Sequence, residues 1–204
     1  RGTININGKH SRLYVGGAIG YSEGQHTFAE NYGAINISGE ISGVPCIGGI
    51  AGYSKGNVTD SENHGTITVD SEYTFPGSVY MSGIATYAAA IARCYNYGNI
   101  EFKGSSASDT ALLTGVTFTA TGTIDNCANY GNLTMSGTSH NTSLYALYYE
   151  AGGAVTNCVN GEKGSTTKGV LTCSGQVNGA LYFCGIGNKN ANKGITSVVN
   201  YGPI

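Results

Sequence analysis

The stretch Cys94-Tyr95-Asn96-Tyr97-Gly98-Asn99-Ile100 decides how the rest of the chain is read, because the chain repeats it at a steady interval in both directions. Asn-Tyr-Gly or a close variant occurs at Asn31-Tyr32-Gly33, Asn63-His64-Gly65, Asn96-Tyr97-Gly98, Asn129-Tyr130-Gly131 and Asn200-Tyr201-Gly202, with a degenerate copy at Asn160-Gly161. The steps from Asn to Asn are 32, 33, 33, 31 and 40 residues. A fixed period of about 20 to 50 residues is the mark of a solenoid, a propeller or an array, in which each unit buries its apolar face only against its neighbours.

Each unit carries three short apolar patches separated by Gly, Asn and Ser. The first follows the turn and alternates with period two, as in Ile4 and Ile6, Ile35 and Ile37, Ile67 and Val69, Ile100 and Phe102, Leu133 and Met135, Leu171 and Cys173, with polar residues between them. The second reads Gly16-Gly17-Ala18-Ile19-Gly20-Tyr21 and drifts in later copies. The third places residues five and two positions before the turn Asn, such as Ile91 and Cys94, and a spacing of three requires a bend between them. No helical pattern separates the patches, and a propeller blade would need four strands with antiparallel turns. The expected fold is therefore all-β: a right-handed parallel β-helix of roughly six coils with three short strands per coil, forming a single domain over residues 1–204. The turn residues Asn31, Asn63, Asn96, Asn129, Asn160 and Asn200 are expected to stack as a structural ladder in the left-handed conformation that Asn tolerates. Connections at 71–79, 104–111, 136–143 and 161–169 are expected to loop outward on one side. Since Ile204 falls where a further strand would begin, more repeats of the same chain are expected to follow and to pack on it.

Composition agrees with a polar, uncharged β surface. Charged residues are 11% of the chain and Gly is 33 of 204, against roughly 25% and 7% in ordinary globular proteins. With a net charge of −2 and no run of Lys or Arg, the electrostatic footprint of a nucleic-acid partner is missing. No apolar stretch approaches a membrane span, so membrane insertion is not expected, and Arg1-Gly2-Thr3 lacks the features of a signal peptide.

The unit running from Gly48-Gly49-Ile50-Ala51-Gly52-Tyr53 through Asn57-Val58-Thr59-Asp60-Ser61 to Asn63-His64-Gly65-Thr66-Ile67, with its copies, resembles the GLUG repeat. That repeat occurs in large bacterial surface proteins, including adhesin-like proteins and the non-catalytic part of some immunoglobulin A peptidases. The resemblance implies a non-enzymatic adhesin or stalk, on the cell surface or secreted, with a host or bacterial glycan or a surface protein as partner and no cofactor. Asp109-Thr110-Ala111 also resembles the short O-glycosylation signal of Bacteroidetes, which makes Thr110 a candidate acceptor.

The alternative is a carbohydrate-active enzyme, a polysaccharide lyase or glycoside hydrolase, on the same scaffold. That chemistry needs paired carboxylates, or a base beside acidic groups, on adjacent coils. Asp60 with Glu62, Glu30 and Asp125 come nearest, and they read first as solvated corner residues. No Cys-x-x-Cys and no His at ligand spacing points to a metal. Cys94, Cys127 and Cys158 share one repeat position and should stack as buried free thiols. Two aromatic columns remain. Tyr32, His64, Tyr97, Tyr130 and Tyr201 share the turn position, and Tyr21, Tyr53 and Tyr87 end the second patch. Such rings either cover corners or offer a flat surface to sugar rings or a protein.

Overall fold

The computed structural model describes residues 2–70, 72–191 and 193–204, and gives no side-chain placement for Ala107 and Ser108. Arg1, Ser71, which opens one of the expected loops, and Asn192 lie outside the described residues. All described elements are strands, and every ladder is parallel and joins one coil to the next, so the chain is a β-solenoid of about five turns.

The three apolar patches resolve into five recurring strands per coil, which corrects the expectation of three; the first two coils add Lys9–His10 paired with Glu40–Ile41, and the last adds Gln176–Val177. The first sheet holds the alternating triplets Ile4–Ile6, Ile35–Ile37, Ile67–Val69, Ile100–Phe102, Leu133–Met135 and Leu171–Cys173. The Gly-Gly patch is a corner where the second sheet (Leu13–Gly16, Pro45–Gly48, Val79–Ser82, Ser105–Thr114, Thr138–Tyr145 and Leu181–Cys184) turns into the third (Ile19–Ser22, Ala51–Ser54, Ala85–Ala88, Thr117–Ala120, Tyr148–Ala151 and Gly187–Asn190). The third patch splits into two-residue strands on either side of a bend. These make a fourth sheet, from His26–Thr27 to Ile195–Thr196, and a fifth, from Glu30–Asn31 to Val199–Asn200. The expected loops at 104–111 and 136–143 are strands instead. Ser105–Thr114 and Thr138–Tyr145 pair with each other and extend the second sheet.

The bend before the turn Asn is real and has a specific form. Phe28, Asp60, Arg93, Asn126, Asn157 and Ser197 occupy it at φ of 57°, 53°, 53°, 49°, 54° and 56°. A left-handed residue other than Gly costs roughly 1–2 kcal/mol, so each coil must hold this corner by other means. In the four middle coils the next residue supplies one. Ser61 Oγ donates to the Thr59 carbonyl at 2.7 Å, and the thiols of Cys94, Cys127 and Cys158 donate to Ala92, Asp125 and Thr156 at 3.3, 3.2 and 3.0 Å. All six cysteines are free; those three and Cys46 are buried, whereas Cys173 and Cys184 are half-buried.

The turn asparagines are not the left-handed residues, correcting that part of the expectation. They form an interior amide ladder. Asn31, Asn63, Asn96, Asn129 and Asn160 each donate through Nδ2 to the Oδ1 of the next Asn at 2.8, 2.8, 2.7, 2.8 and 2.7 Å. From Asn63 onward the other Nδ2 hydrogen goes to the carbonyl of the turn Gly. In the fifth rung that role falls to Gly169, not Gly161. The interval from Asn160 to Asn200 is therefore long because an insertion sits inside the turn. The ladder fits because the Gly-Gly corner leaves room: a Cβ on Gly83 would lie 2.4 Å from Asn96 Cγ, and one on Gly115 would lie 2.4 Å from Asn129 Cγ.

Two apolar cores flank this amide column. One joins the first and second sheets through residues such as Ile67, Ile100, Met81 and Leu113; the other joins the third and fourth through Ala85, Ile91, Cys127 and Val155.

Candidate functional site: an aromatic groove on the outer angle of two sheets

Period two fixes which way the second sheet points its residues. Leu13 and Val15 enter the core, so Tyr14 faces out, and the same register carries Cys46, Tyr80, Leu112, Ser143 and Tyr182 along the outer face. Rings from the third sheet meet this column. Tyr80 stacks on Phe118 at 4.2 Å and 14°, Phe118 on Tyr149 at 4.9 Å and 16°, and Tyr14 lies 5.7 Å from Tyr53. The outer faces of the second and third sheets therefore close on one another and leave a groove along the solenoid axis. Two cavities follow it. One of about 360 Å³ is lined by residues including Tyr80, Leu112, Phe118, Ser143, Tyr145 and Tyr149. The other, of about 390 Å³, is lined by Tyr14, Val44, Cys46, Tyr53, Tyr80 and Tyr87. Tyr80 belongs to both.

The lining carries no ionisable Asp, Glu, Lys, Arg or His. Its titratable groups are phenols and one thiol, and all those that are shifted move the same way. Burial raises Tyr80, Tyr87 and Tyr145 above the ordinary phenol value and pushes the Cys46 thiol up to about 12. Tyr80, Tyr87 and Tyr145 are thus held as neutral donors, and the groove can offer hydroxyl and amide hydrogen bonds beside apolar contact.

Of the residues named from sequence, Tyr53 and Tyr87 line the groove and Tyr21 stacks on Tyr53 at 5.4 Å. Tyr53 and Tyr87 follow at 5.0 Å, and Tyr87 meets Phe118 edge-on at 85°. The column itself then changes to Thr119, Glu150 and Lys189, while the rings continue one residue earlier as Phe118 and Tyr149. The other column lies at the fifth-sheet turn, apart from the groove. Tyr32, His64, Tyr97 and Tyr130 stack at 4.5, 4.6 and 5.1 Å, so inside this ladder each ring face meets another ring and the edges meet solvent. Lys168, from the insertion in the Asn160 rung, covers Tyr130 at 5.8 Å, and Tyr201 lies two rungs beyond Tyr130. Thr110 is half-buried and lines the first cavity.

Reading the sequence by ladders missed Tyr14, Tyr80, Phe118, Tyr145, Tyr149 and Tyr182. Leu13-Tyr14-Val15 and Val79-Tyr80-Met81 carry the signal, since alternation there places one ring outward between two core residues.

Three of the four carboxylates considered for catalysis, Asp60, Asp125 and Glu62, are engaged elsewhere. Asp60 accepts from both Arg93 Nε and, at 2.8 Å, Arg93 Nη2, which lowers its pKa. Asp125 accepts from Thr156 and Asn157, which lowers its pKa likewise. Glu62 meets His64 at 2.9 Å. None of them lines the groove. Among the described residues no group of three or more His, Cys, Asp or Glu is placed to hold a metal, and no helix is long and apolar enough to cross a membrane. Set against known proteins, the chain matches no family model, no curated protein and no solved structure.

Proposed function

We propose that the chain is a non-catalytic β-solenoid module of a bacterial surface or secreted protein of the GLUG-repeat kind, which holds an uncharged aromatic groove out to a glycan or protein partner. The groove between the outer faces of the second and third sheets carries this reading. It brings at least six aromatic rings and several hydroxyls to one outer angle of a rigid scaffold, where neighbouring strands fix their spacing. Concave, largely apolar surfaces with a few fixed polar groups are the usual form of a ligand site. We assign a right-handed winding on the general rule that parallel crossover connections take that hand in about 98% of cases.

One purified sample tests the reading twice, on an immobilised glycan and surface-protein array and in a reducing-sugar release assay. Retention of a glycan or protein without release of reducing ends is the expected outcome. Turnover of a polysaccharide that disappears in Asp60→Ala or Asp125→Ala would replace the module with an enzyme.

A further inference from the structure

We propose that the cavity framed by Tyr80, Phe118, Asn141, Ser143, Tyr149 and Tyr182 is a subsite for one or two units of a neutral, hydroxyl-rich sugar, with the Asn141 carboxamide as its fixed donor. The inference rests on the groove being a binding surface and names what that surface takes.

Size and charge set the first limits. At about 360 Å³ the cavity stands at the small end of ligand sites, which run from roughly 300 to 1,000 Å³. Its lining consists of hydroxyls, phenols, amides and two apolar groups, with no charge of either sign. The charges nearest the cavity are of opposite sign, Lys189 over the Tyr149 ring at 5.4 Å and Asp109 near Tyr80, so a uronate or sulfated unit placed there would lose water without gaining a net counter-charge. A neutral sugar loses only hydroxyl hydration, and the cavity offers hydroxyls and amides in return. Leu112 and Phe118, 4% and 8% exposed, form an apolar floor for the C–H face of a sugar ring.

The backbone over most of the cavity disfavours the obvious competitor. An extended peptide would bind by adding a strand to a free sheet edge. Val79–Ser82 and Ser105–Thr114 are each paired on both sides, so over these strands the groove presents sheet faces, and the edges left near it among the described residues are those of Leu181–Cys184 and Gly187–Asn190 in the last coil.

Asn141 is held for the task. Thr110 pairs with Asn141, but toward the last coil the ladder runs from Ser139 with Val177 directly to Thr142 with Leu181, and the chain departs from it at Asn178-Gly179-Ala180. The Ala180 N–H donates to Asn141 Oδ1 at 2.8 Å. Gly179 allows this approach, since a Cβ there would fall 2.7 Å from the same oxygen. The amide is thereby oriented with Oδ1 engaged, which leaves Nδ2 as its donor, and Asn141 lines the cavity. Opposite, Asp109 is occupied by the Thr110 N–H at 2.8 Å. Such a donor, fixed by backbone before the ligand arrives, spends little entropy on binding.

The test is a series of ¹⁵N-HSQC titrations with cellobiose, maltose, lactose and digalacturonic acid, on the wild type, Asn141→Asp and Tyr182→Ala. Asn141→Asp keeps an oxygen for the Ala180 N–H but replaces the donor by an acceptor, so the amide spectrum should stay dispersed while neutral-sugar affinity falls by about tenfold or more, the loss of one good hydrogen bond to a site built for it. Tyr182 is 55% exposed, so its removal spares the fold and should weaken binding by a smaller factor. At least one neutral disaccharide should shift amides of the Thr138–Tyr145 strand, with digalacturonate weaker. Equal or tighter binding of digalacturonate, neutral binding indifferent to Asn141→Asp, or no shift with any of the four overturns the subsite. Glycan-array retention in those cases leaves the binding module standing without this subsite. Sugar binding here accompanied by turnover keeps the subsite and removes the non-catalytic reading.

Discussion

The Asn96 carboxamide donates to Asn129 across 2.7 Å inside the solenoid, and neither side chain has any solvent exposure. Both also bond the turn glycines beside them, so each amide is a relay between its own corner and the next coil. Removing one member affects three coils at once.

Replacing Asn96 by Ala should therefore cost about 3 kcal/mol, because Asn129 Oδ1 and the Gly98 carbonyl each lose a donor while buried, at roughly 1–3 kcal/mol per orphaned group. Asn96→Asp should be worse, since a carboxylate would face the Gly98 carbonyl and Asn129 Oδ1 with nothing to donate to them. Urea denaturation measures both. A loss under about 1 kcal/mol for Asn96→Ala would mean that the ladder is incidental to stability.

The thiols set the alkaline limit of the fold. Burial pushes Cys46 up to about 12 from 9.0 and raises Cys127 well above the same value. A raised thiol pKa means that the folded state holds its proton more tightly, so this contribution is complete below about pH 9 and is lost as the pH climbs toward the folded value. Stability should be flat with respect to these groups up to pH 9 and fall beyond it, by about 1.4 kcal/mol per pH unit for each such group. Cys46→Ala should flatten that slope when urea midpoints are taken between pH 8 and 11. An unchanged slope removes Cys46 as a cause. Thiol labelling at neutral pH should separate the half-buried Cys173 and Cys184 from the buried four.

Cys127 should tolerate Ser better than its burial suggests, because Ser61 holds the same place in the repeat and bonds the carbonyl two residues back. Cys127→Ala should cost on the order of 1 kcal/mol, through lost packing and a freed carbonyl, and Cys127→Ser no more than that. If Ser proves clearly worse than Ala, the column is held by apolar contact alone.

Phe28 is the least suited residue at the left-handed corner, at φ 57° and 80% exposed. Asn126 and Asn157 fill the same place in later coils. Phe28→Asn should stabilise the protein by about 0.5–1 kcal/mol, by easing backbone strain at little cost in burial. A thermal scan that shows a lower midpoint would place Phe28 in a contact that offsets its strain.

The repeat made the scaffold legible and concealed part of its detail. Asn-x-Gly and Gly-Gly recur at one period, and the first reads as a turn while the second reads as part of an apolar strand patch. In three dimensions they are two halves of one contact, the Asn side chain filling the space that a Cβ on Gly49, Gly83 or Gly115 would take. Sequence spacing cannot show that, because the two halves lie on opposite sides of the coil. The bend between Ile91 and Cys94 was legible, since a spacing of three cannot be kept in a straight strand, and Arg93 makes it. The stretches 104–111 and 136–143 read as loops because their Ser, Thr and Gly have no alternation, yet they pair with each other across two coils and wall the groove. Aligning rings only by repeat position found Tyr53 and Tyr87, but Phe118 and Tyr149 continue the aromatic run one residue out of register and so escaped.

His64 provides the last test, of what the second ring column is for. It replaces the tyrosine found in the neighbouring rungs and lies between Tyr32 and Tyr97 at 4.5 and 4.6 Å, nearly parallel to both at 4° and 7°. Both faces of the imidazole are covered, so its stacking is spent on the protein itself. His64→Tyr should preserve the ladder and leave stability within about 0.5 kcal/mol, whereas His64→Ala should open a gap between two rings and cost about 0.5–1.5 kcal/mol, the usual worth of an aromatic pair. Neither change should alter sugar binding in the groove, whose lining does not include this corner. Chemical denaturation and the same HSQC titration on each variant separate the two roles. A loss of ligand affinity in His64→Ala with stability unchanged would move the binding surface to the turn column and away from the groove.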